Sequence, residues 1–152
     1  MAIRHYATND SWKSYVEEQF TFQYTVAGNV TADLTTAPIF APDFSGEIVN
    51  VVLAFGQNGA DGTDPLNMSA ILYKNGTAVC STNPDIAKAA GTGVKSTAVS
   101  GTGLTQAVVK TDGTEDFVTG DYFSLTLDIT RTTPETEIAN VVVVVYYKKV
   151  AS

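Results

Sequence analysis

Chemistry needs nucleophiles, bases or ligand sets, and this chain is poor in all three. It has one histidine, His5, one cysteine, Cys80, and sixteen Asp and Glu. A serine or cysteine nucleophile needs a base held beside it. His5 lies far in sequence from Cys80, in a terminal segment, and no Gly-x-Ser-x-Gly elbow is present. Cys80 sits in "GTAVCST", on an alternating strand, and reads as a small buried apolar group. The Gly-rich runs "GQNGADG" and "GTGVKSTAVSGTG" lack the spacing of a phosphate-binding loop. A glycosidase would need two carboxylates across a cleft. Most of the acidic residues fall in Gly/Thr/Pro turns, where Asp caps backbone, and only Asp128 lies well inside an expected strand. "ADGTDP" and "TDGTEDF" offer the hard oxygen atoms that calcium takes, without the twelve-residue ligand spacing, and read as acidic surface turns. The expectation is a protein with no catalytic residues, no metal and no cofactor.

The elements around these residues repeat with period two. "FTFQYTV" places Phe20, Phe22, Tyr24 and Val26 on one face of a half-buried strand. In "GEIVNVVLAFG", Val49, Val51, Leu53 and Phe55 share a face. In "PLNMSAILY", Leu66, Met68, Ala70 and Leu72 do the same. Asn75-Gly76 supplies a tight hairpin turn, because both residues tolerate positive φ. "DYFSLTLDIT" puts Phe123, Leu125, Leu127 and Ile129 together, and "IANVVVVVYYKK" is apolar on both faces, as a central strand or a subunit contact would be. "STNPDIAKAAG" predicts one short helix, with Asn83 as its cap, Pro84 first and Gly91 at its end. "LTQAVVK" is a further strand, and Pro38 and Pro42 suit an edge or an irregular segment. Eight or nine short strands with turns between them predict an all-β fold, a jelly-roll-like β-sandwich.

Residues 1–19 differ from residues 20–152, which form the β-sandwich domain. "NDSWKSYVEEQ" has the spacing of a short N-terminal helix or arm, capped by Asp10 or Ser11. Trp12, Tyr15 and Val16 would lie on one face of it, either closing an open end of the sandwich or docking on a partner.

The composition narrows the partners. At 152 residues the chain suits one domain with one core. Its net charge of -7 repels nucleic acid and anionic lipid alike. No stretch approaches the roughly 20 apolar residues of a membrane-spanning helix. The start, "MAIRHYATNDSWKS", has no apolar run, which predicts no secretory leader. Glycosylation patterns at Asn9, Asn67 and Asn75 are then incidental.

"FVTGDYFSLTLDI" followed by "IANVVVVVYY" resembles the closing strand pair of jelly-roll modules in viral and phage structural proteins. "TTAPIFAPDFSGEIVNVVLAF" is similar to their opening part. The resemblance is one of style over residues 20–150 and brings no site residues with it. It implies a non-enzymatic virion protein of the capsid decoration, head-fibre or fibre-tip type. Such a protein would form a trimer bound to the major capsid protein or another virion protein. A receptor- or carbohydrate-binding module of a fibre or surface protein is the alternative. Under the first reading Trp12, Tyr15 and Val16 anchor the chain to its partner, and Lys148 and Lys149 meet carboxylates of a neighbouring subunit.

Overall fold

The computed structural model describes residues 3–5, 14–58, 66–131 and 138–150. Among them the strands are β1 (Ile3–His5), β2 (Ser14–Val30), β3 (Leu34–Thr35), β4 (Gly46–Asn58), β5 (Leu66–Lys74), β6 (Thr77–Ala78) and β7 (Cys80–Thr82). They continue with β8 (Asp85–Ala87), β9 (Gly93–Ser96), β10 (Leu104–Thr105), β11 (Val108–Val109), β12 (Asp116–Phe117), β13 (Phe123–Arg131) and β14 (Ile138–Val150). One 3-10 turn, Lys88–Ala90, is the helical element of the described residues. The first sheet runs β1-β2-β14-β4-β12, with β9 also on β4. The second runs β10-β8-β5-β13-β3, with β6 also on β5. A small pair, β11-β7, stands apart. The fold is all-β and sandwich-like, with one sheet curled into a half-barrel, and the barrel does not close.

The core lies between the two sheets and follows the alternation. Met68, Ala70 and Leu72 on β5 and Phe123, Leu125 and Leu127 on β13 are fully buried. On β14, Val141, Val143, Val145 and Tyr147 point inward, and Val142, Val144 and Tyr146 are half-exposed on the other face. β14 is apolar on both faces because it is central, paired with β2 on one side and β4 on the other. The hairpin turn forms as expected, with Asn75 at φ 49° and Gly76 at φ 83° and Lys74 paired with Thr77.

Three expectations change. On β4 the inward residue near the start is Ile48, not Val49. The register slips by one between Tyr146 and Tyr147, which face Asn50 and Ile48 in turn, and this bulge moves Val49 off the buried face. The helix expected in "STNPDIAKAAG" is strand β8 followed by one 3-10 turn. Ile86 is fully buried there between β5 and β10. Ser69 donates to Asp85 at 2.8 Å and the Ala70 amide to the Pro84 carbonyl at 3.0 Å, so this segment is tied to β5 by hydrogen bonds across the sheet. The strand expected in "LTQAVVK" is split into β10 and β11, which join different sheets.

The N-terminal helix or arm falls partly on residues 6–13, outside the described residues. Where described, the segment is extended. Ser14–Gln19 open β2, which continues through the boundary expected between residues 19 and 20.

Candidate functional site

Four acidic residues of the described turns accept hydrogen bonds from backbone amides. Asp33 accepts from the Ile129 amide at 2.8 Å, Asp112 from Thr114 at 3.0 Å and buried Glu115 from Gly113 at 2.9 Å. The bonds from Thr114 hold the Asp112 carboxyl below its ordinary value. Asp121 accepts from the Val118 amide at 2.9 Å and from the Asn75 side-chain Nδ2 at 2.6 Å, and Asn75 Oδ1 in turn accepts from the Tyr122 amide at 3.0 Å. These bonds tie the hairpin tip to the turn before β13. In the turn "TDGTEDF" a cation of the protein itself is present: the Lys74 ammonium donates to the carbonyls of Gly113 and Asp116. Asp128 lies exposed on β13, as its position opposite the apolar residues requires. Among the described residues no three His, Cys, Asp or Glu side chains come together to hold a metal. "ADGTDP" lies outside the described residues.

Cys80 is 5% exposed, and burial pushes its thiol up to about 11, with the charge of Lys110 pulling more weakly the other way. A nucleophile needs the opposite shift. Native protein at pH 8 is therefore expected to resist a thiol-specific disulfide reagent and to label fully once unfolded. Fast native labelling would refute this. The linkage has a definite sign. The folded state holds the Cys80 proton more tightly than the unfolded chain, which releases it near pH ~8.5. The Cys80 contribution should be constant below that pH and should lower stability as pH rises from there towards 11. Tyr147, raised by burial, adds a fall of the same sign above pH ~10. Cys80→Ala should flatten the lower part of the slope in urea titrations.

Of the residues expected to dock, Tyr15 and Val16 lie in an extended strand. Trp12 lies outside the described residues. Tyr15 and Val16 occupy consecutive positions of β2, paired with Arg4 and Ile3 of β1, and Tyr15 also pairs with Val150. Lys149 is used inside the chain: its ammonium stands 4.8 Å from the Phe20 ring centre and 4.3 Å from that of Phe44. Lys148 lies opposite Glu47 on one side and Gln19 on the other.

What the strands do assemble is an aromatic wall behind β2, whose outer side carries, among the described residues, only the short strand β1. Phe22 stacks on Phe40 at 4.3 Å, Phe20 and Phe44 each stack on Tyr147 at 5.6 Å, and Phe117 meets Phe123 edge-on at 5.5 Å. Phe40 and Phe44 come from the proline-bounded segment after β3, which bridges to β13 through Phe40 and Phe123. Phe20, Phe22, Tyr24 and Val26 of β2 form the outer row of this wall and remain half-exposed, whereas their neighbours Val141, Val143 and Val145 on β14 are buried. The alternation in "FTFQYTV" announced that row. Nothing in the local pattern announced that, among the described residues, β2 would have only the three-residue β1 on its outer side. No protein-family model matches the chain, and no curated protein matches it.

Proposed function

We propose that the protein is a non-enzymatic structural component of a virion, which decorates or stabilises a phage capsid as a homo-oligomer bound to the major capsid protein or another virion protein. The observation that carries this reading is the outer side of β2, which no described strand covers from residue 17 to residue 30, backed by half-exposed aromatic rings. Monomeric sheet proteins blunt or cover such edges, and proteins built for assembly use them. The strand order supports the jelly-roll part of the reading. Numbering β2, β3, β4, β5, β8, β12, β13 and β14 from one to eight, the sheets contain the orders 1-8-3-6 and 2-7-4-5. That interleaving belongs to a double-sheet jelly roll, a fold of viral capsid and lectin domains alike. Fold alone does not choose between those roles. The trimer follows from the resemblance.

The test uses purified particles from the source culture. Quantitative mass spectrometry should find the 16.1 kDa chain in many copies per particle. Particles lacking it should assemble and break more readily on heating or osmotic shock. Absence from the particles overturns the reading, and glycan binding by the isolated chain in that case supports a carbohydrate-binding module instead.

A further inference from the structure

The sheets end on strands of very unequal length. β3, β6, β10 and β12 are two residues long and β9 is four. Short edge strands are a common protection against unwanted pairing. β2 has seventeen residues. β14 takes one side of it, and β1 covers the other only at Ser14–Val16. Among the described residues no strand pairs with that outer side from residue 17 to residue 30. The stretch has no proline and no lysine, and Glu17 and Glu18 are its only charges. From Gln19 to Val26, where its register against β14 is unbroken, the outward N–H and C=O groups form a template for one more strand.

We propose that this edge pairs antiparallel with β2 of a second copy of the chain, about a two-fold axis at Gln23. The inference rests on reading the edge as an assembly surface, and it names the occupant. A two-fold contact uses one patch twice, so the patch must complement itself. Read from both ends about Gln23, the strand does. Phe20 falls opposite Val26, Thr21 opposite Thr25, Phe22 opposite Tyr24, and Gln23 opposite its own copy. Residues directly opposite share a face, so the half-exposed Phe20, Phe22, Tyr24 and Val26 of both copies continue one inner row. Aromatic, aromatic–β-branched and Thr–Thr pairs are the favourable cross-strand combinations. Charge selects the direction. Antiparallel pairing carries Glu17 and Glu18 to the far end of the partner's β2, beyond its irregularity at Gly28, whereas an in-register parallel pair would set each glutamate against its own copy. A threefold contact, if present, would engage a different surface.

The test is a cysteine placed on the axis of the full chain. Opposite Cα atoms of an antiparallel pair are about 4.5–5.5 Å apart, within disulfide reach. Gln23→Cys should therefore give a covalent dimer on mild oxidation, seen on a non-reducing gel. In Thr21→Cys the two thiols sit four residues out of register, roughly 13 Å apart, and the chain should stay uncrosslinked. Both positions are exposed, and circular dichroism should show both variants folded. Failure of Gln23→Cys to crosslink while folded, or equal crosslinking of the two variants, overturns the pairing. The double variant Thr21→Lys with Thr25→Lys separates the two readings. If it no longer attaches to particles although Gln23→Cys fails to crosslink, the edge serves assembly with a different occupant and the self-pairing is wrong. If it attaches normally and the crosslink fails, the edge is not an assembly surface.

Discussion

Phe123→Ala is expected to cost about 3–5 kcal/mol of stability, the range for removing a large aromatic side chain from a core. Phe123 is fully buried at the start of β13. Its ring lies 6.0 Å from Phe22, 6.0 Å from Phe40 and 5.5 Å from Phe117, so it joins strands of both sheets to the proline-bounded segment. The backbone there is held independently: the Phe123 amide donates to the Phe40 carbonyl at 2.7 Å, and the Ile39 amide to the Phe123 carbonyl at 2.8 Å. Those bonds oppose collapse into the space left behind, which places the cost towards the upper end. Domains of this kind have about 5–15 kcal/mol in total. With a urea slope of about 2 kcal/mol per molar, the midpoint should fall by roughly 2 M. A fall below about 0.5 M would mean that the wall closes over the gap and that Phe123 is not its keystone.

Gly46→Ala is expected to cost about 1–3 kcal/mol by overpacking, although it adds a single methyl group. Gly46 is buried at the start of β4, between Phe117 of β12 and Lys149 of β14. A β-carbon there would run into the Lys148 carbonyl oxygen and the ring of Phe117. The first is backbone fixed in the sheet, and the second is a ring locked edge-on against Phe123 and Phe44. Neither is the loose end of a flexible side chain. The contact with Phe117 gives a second reading of the same strain. Phe117→Leu alone should destabilise, and combined with Gly46→Ala it should cost less than the sum of the two, because residues in contact are not additive. Additive midpoint shifts in urea would show that the added methyl group is accommodated without touching the ring.

Much of the interior was legible residue by residue. Period two placed Met68, Ala70 and Leu72, and Phe123, Leu125 and Leu127, on buried faces. Cys80 followed from its apolar neighbours, although it and Val79 are both buried in succession where the chain passes from β6 to β7. The errors share a cause. Val49 was assigned inward by counting along β4, and a bulge against β14 moved the count by one. "NPDIAKAAG" carries a proper helix start and stop, and the burial of Ile86 in a sheet overrode them. Lys149 stands over the rings of Phe20 and Phe44, a contact with no signal in the neighbouring residues.

The amino-acid sequence by itself determined most of the local states of this protein. Alternating side chains made the long strands and Asn75 and Gly76 made the hairpin, while the doubly apolar run of β14 fitted a central strand and a subunit contact alike. Backbone sterics and the period of burial act over a few neighbouring residues, and such effects are written locally. Only the tertiary structure decided which strands meet, where the register slips and which edge is left open. Those outcomes depend on residues far apart in the chain. Thr35 meets Thr126 across 91 positions, Asn75 clasps the turn at Asp121 across 46, and Gly28 donates to Asn140 across 112. A period-two pattern is the same for a central strand and an edge strand. The neighbours that bury β14 on both sides and leave β2 half-covered exist only once the sheets have formed.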